Sequence, residues 1–131
     1  MTQVSLIKMK AEETLPAPKG ERFVVHLWPD QKSGHGGEGS SLIDALDACL
    51  KRMLNSLKLG EFNGQTSISA WRFLPGSDTD EKLRHRIWVE VTFKGARKCF
   101  DGSGETELMA VFAALSVCYR TLFNIELVRV Q

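Results

Sequence analysis

An internal repeat of about 65 residues constrains the fold of this 131-residue chain more than any other feature. The segment Gly37-Glu-Gly39 precedes one predicted helix, and Gly102-Ser-Gly104 precedes a second predicted helix 65 positions later. Past a one-residue shift, apolar residues of the two helices align. The aligned pairs are Leu42 with Leu108, Ile43 with Met109, Leu46 with Phe112, Cys49 with Leu115, and Met53 with Tyr119.

The repeat predicts an α+β fold. Each half contains strands followed by one helix, and each half alone has too small an apolar face to form its own core. We therefore expect two pseudo-symmetric βββα units, packed as one domain over residues 1–131, with the helices against a mostly antiparallel sheet. The first unit covers about residues 3–60 and the second about residues 65–124, followed by a short C-terminal tail.

Hydrophobic periodicity predicts the first helix from Leu42 to Leu57, where apolar residues recur at i, i+3, i+4 and i+7. Ser41-Leu-Ile-Asp44 has the form of a capping box with Asp in place of Glu or Gln, and Gly60 suits a left-handed C-cap. The second helix, about Glu105 to Phe123, is apolar on nearly all sides. We therefore expect it to be buried on more than one side, in part against a second copy of the chain.

The remaining segments predict strands and loops from alternation, prolines and glycines. The predicted strands are Val4–Lys10, Arg22–Trp28, Thr66–Leu74, Arg84–Phe93 and a short Ala96–Phe100. Ala11–Gly20 and Gln31–Gly39 are predicted to be loops, and Lys94-Gly95 a turn.

Charge and composition exclude several classes of function. The chain has 17 Lys and Arg against 16 Asp and Glu, which gives a net charge of +1 without the basic excess of a nucleic-acid-binding surface. The start of the sequence lacks the apolar region of a secretory signal, and the longest apolar stretch, Leu108–Tyr119, is far shorter than the ~20 residues that span a bilayer. We therefore expect a soluble, cytoplasmic protein that binds neither nucleic acid nor membrane.

Cysteine and histidine spacing gives no sign of a metal or cofactor. Cys49 and Cys118 lie in apolar helical patterns, where a free cysteine packs as a small hydrophobe. The three histidines share no ligand spacing with each other or with the cysteines, and no phosphate loop or serine hydrolase motif is present. We therefore predict neither a metal site nor a cofactor.

The order of motifs resembles the C-terminal regulatory domain of 2-isopropylmalate synthase and citramalate synthase. The resemblance covers about residues 22–124 and is carried by Gly37-Glu-Gly39 with Ile43-Asp44-Ala45-Leu46, and by Phe100-Asp-Gly102-Ser-Gly104-Glu-Thr-Glu107 with the helix after it. The chain departs from the family in a two-residue-longer link, Ser40–Ile43, in the tail Ile125–Gln131, and in lacking the catalytic barrel. The resemblance implies a dimeric regulatory fold without acyl-transfer activity, partnered with a synthase-like barrel.

The resemblance also implies a site for an amino-acid effector, such as leucine or isoleucine, near the starts of the two helices. Helix N-termini offer N–H groups to a carboxylate, and nearby carboxylates can meet the ammonium. The expected effector-binding residues are Gly102, Ser103, Gly104, Glu105, Thr106, Glu107, Gly37, Gly39 and Asp44. A structural interpretation stays open, because G-x-G segments also form ordinary turns and acidic first turns complement the helix dipole.

Three hypotheses about function follow. The first is a non-catalytic regulatory module that binds a branched-chain amino acid for feedback control of leucine or related amino-acid biosynthesis. The second is a purely structural homodimerisation module without an effector. The third is a small enzyme, for which the sequence offers no catalytic cluster.

Overall fold

The computed structural model describes residues 1–14, 22–60 and 65–130. The described residues form an α+β fold, as the repeat predicts, and contain two α-helices and eight strands. The chain divides into two compact units: the first comprises Met1–Asn63 with Ile125–Gln131, and the second comprises Gly64–Asn124. Neither described helix is long and apolar enough to cross a membrane.

The first unit contains a three-stranded antiparallel meander and a helix. Its strands β2, β3 and β4 pair in that order, and the helix α1 packs on β3 and β4. A separate parallel pair joins β1 to β8, the last strand of the chain. The bounds are β1 Thr2–Leu6, β2 Lys8–Glu13, β3 Phe23–Trp28, β4 His35–Gly39, α1 Leu42–Ser56 and β8 Ile125–Arg129.

The second unit has the same topology. Its strands β5, β6 and β7 form an antiparallel meander, and the helix α2 packs on β6 and β7. A short 3₁₀ turn, Glu81–Leu83, lies between β5 and β6. The bounds are β5 Thr66–Leu74, β6 His85–Phe93, β7 Ala96–Gly104 and α2 Glu107–Phe123.

The two helices correspond at a constant separation of 65 positions, so the predicted one-residue shift is wrong. Ser41 is the N-cap of α1 and Thr106 is the N-cap of α2. The buried residues of α1 are Ile43, Ala45, Leu46, Cys49, Leu50, Met53 and Leu54, and those of α2 are Ala110, Val111, Phe112, Ala114, Leu115, Cys118 and Tyr119. Adding 65 to the first set reproduces the second, except that position 108 is half-buried and Phe112 is an additional buried residue.

The ends of the helices follow local rules, with one correction. Ser41 and Asp44 cap α1: the Asp44 N–H donates to Ser41 Oγ at 3.2 Å, and Ser41 Oγ donates to the Asp44 carboxylate at 2.7 Å. The predicted C-cap glycine, Gly60, is not used: Lys58 takes the left-handed conformation with φ 60°, and the N–H of Leu59 donates to Leu54 O at 2.7 Å. Asn124 ends α2 in the same left-handed conformation, with φ 58°.

Several predicted strand bounds are wrong. Val4–Lys10 is not one strand, because Ile7 is not part of a strand and separates β1 from β2. The predicted loop Ala11–Gly20 begins as strand, since β2 continues to Glu13, and residues 15–20 lie outside the described part. The predicted loop Gln31–Gly39 ends in β4, and the predicted short strand Ala96–Phe100 extends to Gly104. Within the predicted C-terminal tail, Ile125–Arg129 form the strand β8.

Candidate functional site

The first glycine of each G-x-G segment lies against the backbone of the following helix. A Cβ at Gly37 would lie 2.6 Å from Ala45 O and 2.7 Å from Cys49 Cα. A Cβ at Gly102 would lie 2.9 Å from Ala114 Cα and would also overlap Ala110 O. Both positions therefore need glycine so that the strand and the helix can approach closely.

The second glycine of each segment has the same role. A Cβ at Gly39 would lie 2.7 Å from the backbone nitrogen of Ala45, and a Cβ at Gly104 would lie 2.6 Å from Met109 Cβ. The space left by the missing side chains is thus occupied by α1 and α2. At these four positions, the glycines allow the helices to pack closely on the strands.

The polar residues at the helix starts form caps. Ser41 Oγ donates to a carboxylate oxygen of Asp44 at 2.7 Å, so this carboxylate is held within the capping box. Thr106 Oγ1 accepts the N–H of Met109 at 3.1 Å. Glu105 and Glu107 are exposed, and Glu107 lies in the first turn of α2, where a negative charge complements the helix dipole.

A cleft in the second unit contains two of the residues that the sequence predicts for effector binding, Gly102 and Ser103. Its volume is about 290 Å³, near the lower end of the range for ligand clefts. The described residues that line it are Leu83, Arg86, Asp101, Gly102, Ser103, Ala113 and Val117. The other predicted residues of this unit, Gly104, Glu105, Thr106 and Glu107, are not among them, and Gly37, Gly39 and Asp44 belong to the first unit.

The cleft contains one cationic and one anionic side chain. Arg86 of β6 lies opposite Ser103 of β7, and Asp101 lies opposite Trp88, so Arg86 and Asp101 are diagonal neighbours on one face of the sheet. Among the described residues, neither Arg86 nor Asp101 forms an ion pair or a side-chain hydrogen bond. Both charges lie on the face of the sheet opposite to α2, because Gly102, which alternates with Asp101 along β7, is the residue that contacts the helix. The cleft therefore includes residues from both sides of the edge strand β7, with Ala113 and Val117 of α2 as its apolar part.

The corresponding place in the first unit is occupied by an arginine side chain. Val117 corresponds to Arg52 at the separation of 65 positions, and Asp101 corresponds to Gly36. The Arg52 Nη1 group donates to Gly36 O at 3.0 Å, which links α1 to β4. Val117 is too short to make this link, which explains why the second unit has a cleft between its helix and β7.

Sequence reasoning missed five of the lining residues: Leu83, Arg86, Asp101, Ala113 and Val117. The turn Lys94-Gly95 contained a signal that could have placed two of them, Arg86 and Asp101. Both turn residues have positive φ, 52° and 78°, as a two-residue hairpin with a type I′ turn requires. Such a turn fixes the register of the strands, which places Arg86 beside Ser103 once β7 is extended to Gly104.

The cysteines differ in exposure, and this confirms the predicted core positions. Cys49 and Cys118 are buried, whereas Cys99 is exposed. Burial raises the pKa of the Cys49 thiol to about 11, so this thiol stays protonated at neutral pH. Since the thiolate is the reactive form, Cys49 is expected to be unreactive in the folded protein.

We expect one thiol of the native protein to react quickly with Ellman's reagent at pH 8, and all three to react after unfolding in guanidinium chloride. The variant Cys99→Ser should lose the fast reaction and keep the two slow ones. A fast reaction that persists in Cys99→Ser would contradict the burial of Cys49 and Cys118.

No protein-family model matches the chain, and no curated protein matches it significantly.

Proposed function

We propose that this chain is a non-catalytic regulatory and dimerisation module that binds a branched-chain amino acid in the cleft of its second unit. The observation that carries the proposal is the presence of Arg86 and Asp101, without ion-pair partners among the described residues, beside an apolar wall in one cleft. A free amino acid has a carboxylate, an ammonium group and, in leucine or isoleucine, a branched apolar side chain. The cleft has one complementary group for each.

The expected assignments follow from the chemistry of each group. The guanidinium of Arg86 is the partner for the α-carboxylate, because arginine presents several N–H donors in a planar fork. The carboxylate of Asp101 is the partner for the ammonium group, and the Ser103 hydroxyl, opposite Arg86, supplies a further hydrogen bond. Leu83, Ala113 and Val117 then contact the apolar side chain.

The resemblance to the regulatory domain of 2-isopropylmalate synthase and citramalate synthase supports a place in feedback control. The repeated βββα topology with its two G-x-G segments agrees with what that resemblance implies about fold. We infer a homodimer in the cytoplasm that couples effector binding to a synthase-like catalytic barrel. Such coupling amounts to about 1–3 kcal/mol. The effector and the partner then change each other's binding affinity by the same factor.

The proposal is tested by calorimetric titration of the chain with leucine, isoleucine, valine and lysine. We expect a branched-chain amino acid to bind with a dissociation constant between about 1 μM and 1 mM, and lysine to bind more weakly because its ammonium-tipped side chain meets an apolar wall. Light scattering at micromolar concentration tests the dimer. The absence of heat and of any thermal shift at millimolar leucine, isoleucine and valine would contradict effector binding.

Variants that remove one charge from the cleft should show which group of the ligand each side chain binds. We expect Arg86→Gln to weaken leucine binding about tenfold to 100-fold, because a carboxylate loses its charged partner. Asp101→Asn should weaken leucine binding to a similar extent but leave the binding of 4-methylpentanoate, which has no ammonium group, unchanged. Equal effects of Asp101→Asn on leucine and 4-methylpentanoate would contradict the assignment.

A purely structural homodimerisation module is the second candidate. It is favoured by the geometry of the glycines, whose missing side chains make room for α1 and α2. Under this alternative, the protein is dimeric in scattering measurements, and no amino acid gives heat or a thermal shift.

A further inference from the structure

A second cavity lies entirely within the first unit. Its volume is about 400 Å³, which is within the range of small-molecule sites. It lies where β3 ends and where the chain leaves α1, next to β1. The described residues that line it are Gln3, Val4, Ser5, Pro29, Asp30, Leu57 and Leu59.

Asp30 is the charged residue among the described residues of this lining. Its Oδ1 atom accepts the N–H groups of Lys32 at 2.8 Å and of Ser33 at 2.6 Å. These backbone hydrogen bonds lower the pKa of the Asp30 carboxyl group, and the bond from Lys32 has the larger effect. Asp30 is therefore ionised at neutral pH. The carboxylate is therefore fixed in position, and the Ser33 side chain and His35 lower its pKa further.

The rest of the lining is mostly apolar. Val4 is only 5% exposed, whereas Leu57 is 40% exposed although it is a large apolar residue at the end of α1. The bond from the Leu59 N–H to Leu54 O, 2.7 Å long, holds Leu59 beside the end of the helix. Gln3 and Ser5 add uncharged polar groups at the exposed side of β1.

We propose that this cavity binds a small hydrophobic amine, with its ammonium group on Asp30 and its apolar part against Leu57 and Leu59. The lining offers a negative charge without a described positive one, so a monocation fits it, whereas the carboxylate of a free amino acid has no charged partner here. The cavity thus differs from the cleft of Arg86 and Asp101, and the inference is independent of the proposed function.

The test uses 3-methylbutylamine as the probe and the full chain, with backbone amide chemical shifts as the readout. We expect shifts at Gln3, Ser5, Asp30 and Leu57, with a dissociation constant on the order of 1 mM that rises with salt. Asp30→Asn should weaken binding about tenfold. This variant keeps an oxygen for the Lys32 and Ser33 N–H groups, so the turn is retained.

Two control variants make the result specific. Glu12→Gln removes another exposed carboxylate of the first unit and should leave amine binding unchanged, as should Arg86→Gln in the other cleft. The uncharged analogue 3-methylbutanol should bind wild type as weakly as the amine binds Asp30→Asn. Amine-induced shifts that are absent up to about 50 mM, or that are the same in Asp30→Asn, would overturn the proposal.

Discussion

Replacing Gly37 by alanine is expected to destabilise the protein by about 2–3 kcal/mol and to lower its melting temperature by about 10 °C. The new Cβ would lie 2.6 Å from Ala45 O and 2.7 Å from Cys49 Cα, and both of these atoms belong to the backbone of α1. A backbone contact cannot be relieved by a change of rotamer, so the helix must move away from β4. Thermal or denaturant unfolding measures the effect.

The neighbouring residue provides the matched control. A Cβ at Gly36 would lie 3.4 Å from a ring carbon of His26, an ordinary van der Waals distance. The second unit carries Asp101 at the corresponding position, whereas it carries Gly102 where the first unit has Gly37. Gly36→Ala should therefore leave stability unchanged or raise it by a few tenths of a kcal/mol. Equal effects of the two substitutions would contradict the packing role of Gly37.

Replacing Val117 by arginine is expected to close the cleft of the second unit and to weaken leucine binding at least about 100-fold. The reason is the arrangement in the first unit, where Arg52 extends from α1 and donates to Gly36 O at 3.0 Å. From the separation of 65 positions, we expect an arginine at position 117 to donate to the corresponding carbonyl of Asp101. Calorimetric titration with leucine measures the loss.

The control for added charge is Thr121→Arg, an exposed position one turn further along α2 that does not line the cleft. This variant should bind leucine as wild type does. Both variants should keep the wild-type melting temperature within a few degrees, since Thr121 is exposed and the half-buried Val117 borders the cleft. Unchanged leucine affinity in Val117→Arg would show that the ligand does not occupy this cleft.

The helices and most strands could be predicted from the sequence because their signals are local. The apolar spacing of α1 and the Ser41–Asp44 capping box define a helix and its start before any tertiary contact is considered. The strand β6 alternates buried Ile87, Val89 and Val91 with more exposed residues, as an antiparallel strand with one covered face does.

The glycine-rich segments were harder to interpret because the structure uses their glycines for a non-local purpose. Four glycines in Gln31–Gly39 indicated a loop, yet the segment contains β4, since glycine is what lets α1 lie close to this strand. The same reason extends β7 to Gly104. The pairing of β8 with β1 also depends on residues more than 100 positions apart, which no local pattern reports.

The candidate site was predicted in part. The G-x-G motif led to Gly102 and Ser103, which line the cleft, but the motif contains no information about Arg86 or Val117. The alignment of the two helices by apolar residues used a separation of 66 positions, one more than the structure shows. The aligned N-caps, Ser41 and Thr106, give the correct correspondence and reveal that Val117 replaces Arg52.

The most direct test of the account is a titration of the isotope-labelled chain with leucine, followed by backbone amide shifts. We predict saturable shifts at Arg86, Asp101, Ser103 and Ala113, lost in Val117→Arg and kept in Thr121→Arg. Shifts confined to residues of the first unit, or no shifts at millimolar leucine, would contradict the central claim that this cleft binds an amino acid.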